Sequence, residues 1–328
     1  MSEHPFAQYV RILGKGKKGA RSLTQEEARE AFGMILRDEV RPEQLGAFLM
    51  LLRVKEETGA EIAGFVQAVR DSLALPQPLP HVDLDWSSYA GKRRHLPWFL
   101  LAVLALADRG IKVFMHGACG HTAGRVYTRE ALRHFQLPVA TTFAEAHTQL
   151  EQHHFSFMDL SVLCPKLQAI MDLRSVFGLR SPVHTLARQI NPLAAPYSMQ
   201  SIFHPGYQFI HQEAERILGQ PHMAVIKGDG GEVECNPDSP CTVYTVHDGV
   251  TDCEEWPAYF AARHLKPAEL DLEDLRRLWR GEIADEYALG AILMTLAVTL
   301  KTMQRAETQS AALALAQEVW DSRKRDRF

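Results

Sequence analysis

The chain has 328 residues, 46% of them hydrophobic, with a formal net charge of −4. That composition excludes a disordered chain or a fibre and suffices for two domains with a sizeable core. The opening "MSEHPFAQYVRILGKG" holds no run of signal-peptide type, and the longest apolar stretches, Leu96–Ala107 and Tyr287–Leu300, fall short of the ~20 residues of a membrane span. Five scattered cysteines, an odd number without a CxxC pair, predict a reduced, cytoplasmic chain. Residues 1–133 lean basic and residues 213–286 are strongly acidic, so local basic surface is expected on a globally acidic protein.

The first 75 residues read as helices. Thr24 with Glu27, and Thr58 with Glu61, form capping-box pairs ahead of apolar residues at helical spacing, and Pro42 suits a first helical position. The Pro-rich "PQPLPH", residues 76–81, reads as a linker. From residue 82 onward strands and helices alternate. Strands are predicted at Val82–Trp86, Ile111–Met115, Leu137–Ala140, Phe155–Asp159, Met223–Lys227 and Thr242–Val246. Helices are predicted at Pro97–Asp108, Thr128–Phe135, Phe143–His153, Pro165–Phe177 and Tyr207–Leu218, with a helical tail over Pro267–Arg323. The expected fold is therefore α/β with an N-terminal all-α domain, residues 82–328 forming a largely parallel sheet flanked by helices.

Two basic clusters stand out. Lys15, Lys17, Lys18 and Arg21 lie in a glycine-punctuated loop before the Thr24 cap, which suits sequence-independent phosphate contact or a solubilising loop. The spacing is not that of a nucleotide P-loop, and no strand precedes it. Lys92, Arg93 and Arg94 occupy the turn between a strand and an apolar helix, where backbone N–H groups commonly hold phosphate. Three adjacent exposed cations repel by ~1 kcal/mol per pair, a cost that a nearby anion relieves. Trp86, Tyr89 and Trp98 flank this turn; stacking on bases is one role, core packing the other. Arg125, Arg129 and Arg133 recur every fourth residue. The fifteen histidines show no HxxxH or HxH spacing and are read as structural or surface residues; no metal site is assigned.

The phrase "EVRPEQLGAFLMLLRVKEETGAEIAGF", then His116-Gly117, "GLRSPVHTLARQINP" and "VIKGDGGEVECN", closely resembles the anthranilate phosphoribosyltransferases and class II nucleoside phosphorylases, glycosyltransferase family 3. The resemblance implies a helical dimerisation domain (1–75) before an α/β domain of class II phosphoribosyltransferase architecture, with substrates between them. It places Arg174, Arg180 and Arg188 as candidates for the central cleft, with His116. The diphosphate elements depart from the family. The GTGGD loop is replaced by "YAGKRRHLP", the KHGN motif by Met115-His116-Gly117-Ala118, and the serine/glycine loop by "ACGHTAGRVYTRE" with Arg125. The adjacent Asp-Glu that carries magnesium becomes Glu232 and Glu234 around Val233. The pattern resembles the anthranilate phosphoribosyltransferase-like proteins that bind nucleic acid, which implies a homodimer contacting DNA or RNA backbone with little sequence preference. It assigns no catalytic residue and no cofactor. The alternative is a transferase using phosphoribosyl pyrophosphate, with magnesium, on an unidentified acceptor. A third reading is an inactive relative whose dimer serves another protein.

Overall fold

The computed structural model describes residues 2–16, 18–120 and 122–328. The helical part begins with α1 (Ala7–Gly14), α2 (Gln25–Leu36), α3 (Pro42–Lys55) and α4 (Gly59–Ser72). Both predicted capping boxes form, at Thr24/Glu27 and Thr58/Glu61, and Pro42 opens α3. Helices α2 and α4 cross closely at Gly64, where a Cβ would lie 2.3 Å from the Gln25 carbonyl oxygen. Phe6, Phe32, Phe48 and Phe65 interlock at the centre. The same core continues into a later stretch of chain, comprising α8 (Leu160–Leu163), α9 (Pro165–Asp172), α10 (Arg174–Phe177) and α11 (Val183–Leu186). Leu160, Leu167, Val183 and Leu186 pack into it. The bundle is thus assembled from two segments of sequence, and Arg70 of α4 ties them by donating to the carbonyls of Ile190 (2.6 Å) and Gln189 (3.2 Å).

The remaining strands are β1 (Leu84–Ser88), β2 (Val113–Gly117), β3 (Phe155–Asp159), β4 (Tyr197–Ile202), β5 (His222–Lys227), β6 (Cys241–His247) and β7 (Val250–Trp256). They form one sheet in the order β3-β2-β1-β4-β5-β6-β7, parallel as far as β5 and antiparallel from there. Helices α5 (Phe99–Asp108), α6 (Thr128–His134), α7 (Phe143–His153), α12 (Tyr207–Leu218), α13 (Glu273–Arg280), α14 (Glu286–Thr302) and α15 (Gln309–Asp321) complete the domain. The two apolar stretches become α5 and α14, buried against each other and the sheet. Neither spans a membrane: no helix among the described residues is long and apolar enough.

Three expectations differ from what forms. The predicted strand Leu137–Ala140 contributes only a bridge between Ala140 and Met158. Strand β4, "YSMQSI", escaped the apolar pattern because its buried polar residues are satisfied by hydrogen bonds: Gln200 donates to Glu215 (2.5 Å) and accepts from His211 (2.7 Å). Strand β7 is turned back by Asp248-Gly249, both at positive φ, in a two-residue hairpin that the "DG" dipeptide signals.

Glu61 anchors the bundle. Fully buried, it accepts from the Leu23 and Thr58 backbone N–H groups (both 2.9 Å) and from Lys55 Nζ (2.8 Å). Glu61→Ala strands all three donors and is expected to cost ~2–4 kcal/mol, lowering the urea midpoint. Glu61→Gln, which keeps one acceptor oxygen, should lose less.

Candidate anion-binding site

The turn leaving β1 was expected to present N–H groups to phosphate. Its Ala90 and Gly91 N–H groups do converge on a single oxygen, but that oxygen is Glu232 Oε1, at 2.6 and 2.5 Å. Gly228 makes this possible: a Cβ there would lie 1.6 Å from the Glu232 carbonyl oxygen, so the 228–232 turn can close only around glycine. Two residues on, Glu234 Oε2 accepts from the Phe99 N–H at the start of α5 (2.8 Å). Both anion-seeking features of the turn are therefore filled by carboxylates of the chain itself.

Lys92 is buried, not displayed. Paired backbone bonds with Val126 (2.8 and 2.7 Å) turn its side chain inward, where Nζ meets Glu234 Oε1 at 2.6 Å and pairs with Asp229. Burial opposes its charge, but the two carboxylates outweigh burial and hold its pKa above the ordinary lysine value. The expectation that Lys92 contacts an external phosphate is thus corrected: its charge is consumed by the carboxylates that close the turn. Arg93 and Arg94 are exposed beside it.

Arg93, Arg94, Arg125 and Lys227 line an open groove of about 1930 Å³ between the β1 turn, the end of β4 and the 228–242 segment. Ile202, Phe203 and His204 join it to a cleft of about 660 Å³ containing Arg53, Arg180 and Arg188, at the junction with the helical bundle. Arg125 spends one nitrogen on the carbonyls of Ala90 (2.9 Å), Gly91 (2.9 Å) and Gly230 (3.1 Å), bracing the turn without neutralising its own charge. Arg188 is buried and braces the floor, donating to Ser201 Oγ (3.0 Å) and the Gly231 carbonyl (2.9 Å). Arg180 is pushed down to about 10 by burial and by the neighbouring charges of Arg174, Arg188 and Arg125. A region where cations repel one another is one that an anion stabilises.

His116 is buried, bonded to the Tyr89 hydroxyl (2.7 Å) with Asp85 3.4 Å away, and lines neither cleft. Its expected place at the cleft is corrected: β2 turns its ring into the sheet's interior. Trp86 and Trp98 are core residues, as is Tyr89 apart from its edge on the cleft. Lys15 and Lys18 are exposed and Arg21 is bidentate to Glu27 (2.6 and 2.7 Å); Lys17 lies outside the described residues. Lys15, Lys18 and Arg21 line neither cleft, so the described residues of the two basic clusters do not share one groove within a single chain. Sequence reasoning missed Arg53, Phe203 and Lys227: Arg53 and Lys227 lie inside the family phrases but nothing in those phrases marks them, Phe203 carries no periodic or motif signal, and all three reach the clefts only through the fold. Phe203 is notable, being 47% exposed at the junction of the two clefts.

The glycosyl transferase family helical bundle domain matches residues 8–73. An uncharacterized protein of Aquifex aeolicus is 31% identical over 244 residues, covering 74% of this chain and 72% of the relative. The anthranilate phosphoribosyltransferase of Oleidesulfovibrio alaskensis is 28% identical over 307 residues, covering 90% and 92%. Among solved structures, the anthranilate phosphoribosyltransferase of Saccharomyces cerevisiae in complex with PRPP and Mg superposes with a TM-score of 0.77 at 16% identity, covering 98% of this chain and 94% of that one. The chain belongs to the phosphoribosyltransferase-like family built on this helical bundle and α/β domain.

Magnesium and a diphosphate do not fit the turn as it stands. Its N–H donors are committed to Glu232, and Glu234 is committed to Lys92 and the α5 N-terminus. The arrangement predicts a sharp contrast between neighbours. Lys92→Ala leaves two inward carboxylates without their cation and should cost ~3–5 kcal/mol in urea unfolding, whereas Arg93→Ala and Arg94→Ala should leave stability close to wild type.

Proposed function

We propose that the protein binds nucleic acid through its phosphate backbone with low sequence specificity, along the groove of Arg93, Arg94, Arg125 and Lys227. The observation that carries this reading is the pairing of two features: a diphosphate turn filled by Glu232, and beside it an open groove lined by Arg93, Arg94, Arg125 and Lys227, joined to a cleft where burial and neighbouring arginines depress the Arg180 pKa. A small chelated diphosphate needs the enclosed turn; a polymer needs only a long, accessible, positive surface. Phe203 and Tyr244, the latter packed edge-on against exposed Phe209, supply aromatic rings along the groove on which unpaired bases can stack. A cytoplasmic homodimer is part of the same reading. Helix α3 leaves Val54 exposed and Met50 and Leu51 half-buried on the outside of the bundle, apolar surface that a second copy would cover.

A transferase acting on an unidentified acceptor is the second reading. It is favoured by the near-complete alignment with the Oleidesulfovibrio alaskensis anthranilate phosphoribosyltransferase. It requires Glu232 to leave the turn.

A labelled single-stranded oligonucleotide titrated across a salt series separates the two. With Lys92 intact, the Arg93→Ala/Arg94→Ala variant should bind more weakly, its log–log salt slope reduced by roughly one per arginine removed. Phe203→Ala should weaken single-strand binding by about tenfold if a base stacks there. Absence of binding at low salt would remove this reading. Magnesium-dependent binding of phosphoribosyl pyrophosphate in a calorimeter would establish the transferase reading's first requirement.

A further inference from the structure

The basic groove changes character at Phe203. On one side it is wide, about 1930 Å³; on the other it continues as the cleft beside the helical bundle, about 660 Å³. The two share Ile202, Phe203 and His204, which form the mouth of the cleft. The smaller volume is that of a pocket enclosing one small molecule, so it has room for a single nucleotide and not for a duplex. Beyond the mouth the bundle and the α/β domain are laced together. Arg53 on α3 donates to the hydroxyl of Tyr207 at the start of α12 (2.9 Å), and that hydroxyl donates to the carboxylate of buried Glu57 (3.2 Å). All three residues line the cleft and none lines the groove. A strand lying in the groove can therefore send one nucleotide past Phe203, but the Arg53–Tyr207–Glu57 bridge stands where the strand would have to continue.

The cations of the cleft differ in how far they are engaged. Arg188 donates to Ser201 and to the Gly231 carbonyl and lies within reach of the Glu232 charge; Arg53 holds Tyr207 beside Glu57. Arg180 has neither kind of partner: among the described residues it makes no hydrogen bond and no ion pair, and its charged neighbours Arg174, Arg188 and Arg125 are all cations. Ser181, next in the chain, lines the same cleft; it is 5% exposed, and its Oγ has no hydrogen-bond partner. A guanidinium without a counter-ion and a buried hydroxyl without a partner, side by side, suit an anion with several acceptor oxygens. Phosphate inside a strand offers a single charge spread over its two free oxygens. Phosphate at the end of a strand carries close to two charges and presents three strong acceptors, as any phosphate monoester does near neutral pH.

We infer that the cleft receives the free end of a single strand lying in the groove, with the terminal phosphate on Arg180 and Ser181. The inference rests on the nucleic-acid reading of the groove and adds to it a preference for strand ends over strand interiors. Phe203, at the mouth, offers its exposed ring to the base of the terminal nucleotide or of the one before it. Recognition of this kind is independent of sequence, because it reads the charge of the last phosphate and a π-face that every base possesses.

Labelled forms of one oligonucleotide sequence, titrated onto the full-length wild-type protein at a fixed salt concentration, test this without any variant. They are a linear strand with hydroxyl ends, the same strand with a 5′-phosphate, the same strand with a 3′-phosphate, and a covalently closed single-stranded circle. Phosphate at one of the two ends is expected to tighten binding by about tenfold over both the hydroxyl-ended strand and the circle. Arg180→Ala should bring that ratio down to about one, and Arg180→Lys, which keeps the charge and loses the planar fork, should retain part of it. Equal affinity for all four forms, or a preference for phosphorylated ends that survives Arg180→Ala, would overturn the inference. So would a nucleoside monophosphate that displaces the phosphorylated strand as effectively as an unlabelled copy of that strand does, since the cleft would then be a site for free nucleotides. The circle separates the two possible failures. A circle that does not bind at low salt removes the groove reading; a circle that binds as tightly as the phosphorylated strand leaves the groove reading standing and removes the end site alone.

Discussion

The functional half of this molecule depends on one carboxylate. Glu232 accepts the two N–H groups of the turn after β1, at 2.6 and 2.5 Å, at the turn where the sequence resemblance implies a diphosphate. Much of what surrounds the turn follows from keeping that carboxylate in place. Gly228 lets the chain close behind it, Arg125 and Arg188 grip the carbonyls of Gly230 and Gly231 beside it, and Lys92 holds Glu234 and Asp229 on the far side. Burial raises the Glu232 pKa; Arg188, the two N–H groups and Ser88 oppose that rise. An anion supplied by the chain is present at no translational cost, so an external diphosphate would have to displace it as well as bind.

With the enclosed site filled, the positive charge of the region lies in the open. Arg93, Arg94, Arg125 and Lys227 face a wide groove, and Arg53, Arg180 and Arg188 sit in the narrower cleft beyond Phe203. The same arginines serve two purposes by being only partly engaged. Arg125 gives hydrogen bonds to neutral carbonyls, which satisfies donors while leaving the guanidinium charge to act on whatever enters the groove.

Much of the architecture was legible in the sequence. Capping boxes at Thr24 and Thr58, the β–α alternation after residue 82, and the family phrase around residues 39–65 lead to the bundle and the largely parallel sheet that form. The site was legible only in outline. Arg93, Arg94, Arg125, Arg180 and Arg188 do meet in connected clefts, but Lys92 turns inward, and nothing local distinguishes it from its two basic neighbours. The difference is made by Glu234 and Asp229, more than 130 positions away, and a long-range ion pair leaves no periodicity to read. A 3₁₀ turn precedes Glu232 and Glu234, and each finds a separate set of donors. Strand β4 was hidden for a related reason, since its polar side chains are partnered across the fold.

The two ends of the sheet bear on how copies of this chain can meet. At one end the Ala140 bridge covers part of β3, and at the other β7 carries Asp252, Glu254 and Glu255 on a largely exposed strand. An edge so rich in like charge repels its own copy, and an edge already bridged has few free backbone groups to share. Extension of the sheet from molecule to molecule is thereby discouraged at both margins. Copies that did associate would have to meet through the helical surfaces, where side chains and not backbone groups choose the partner.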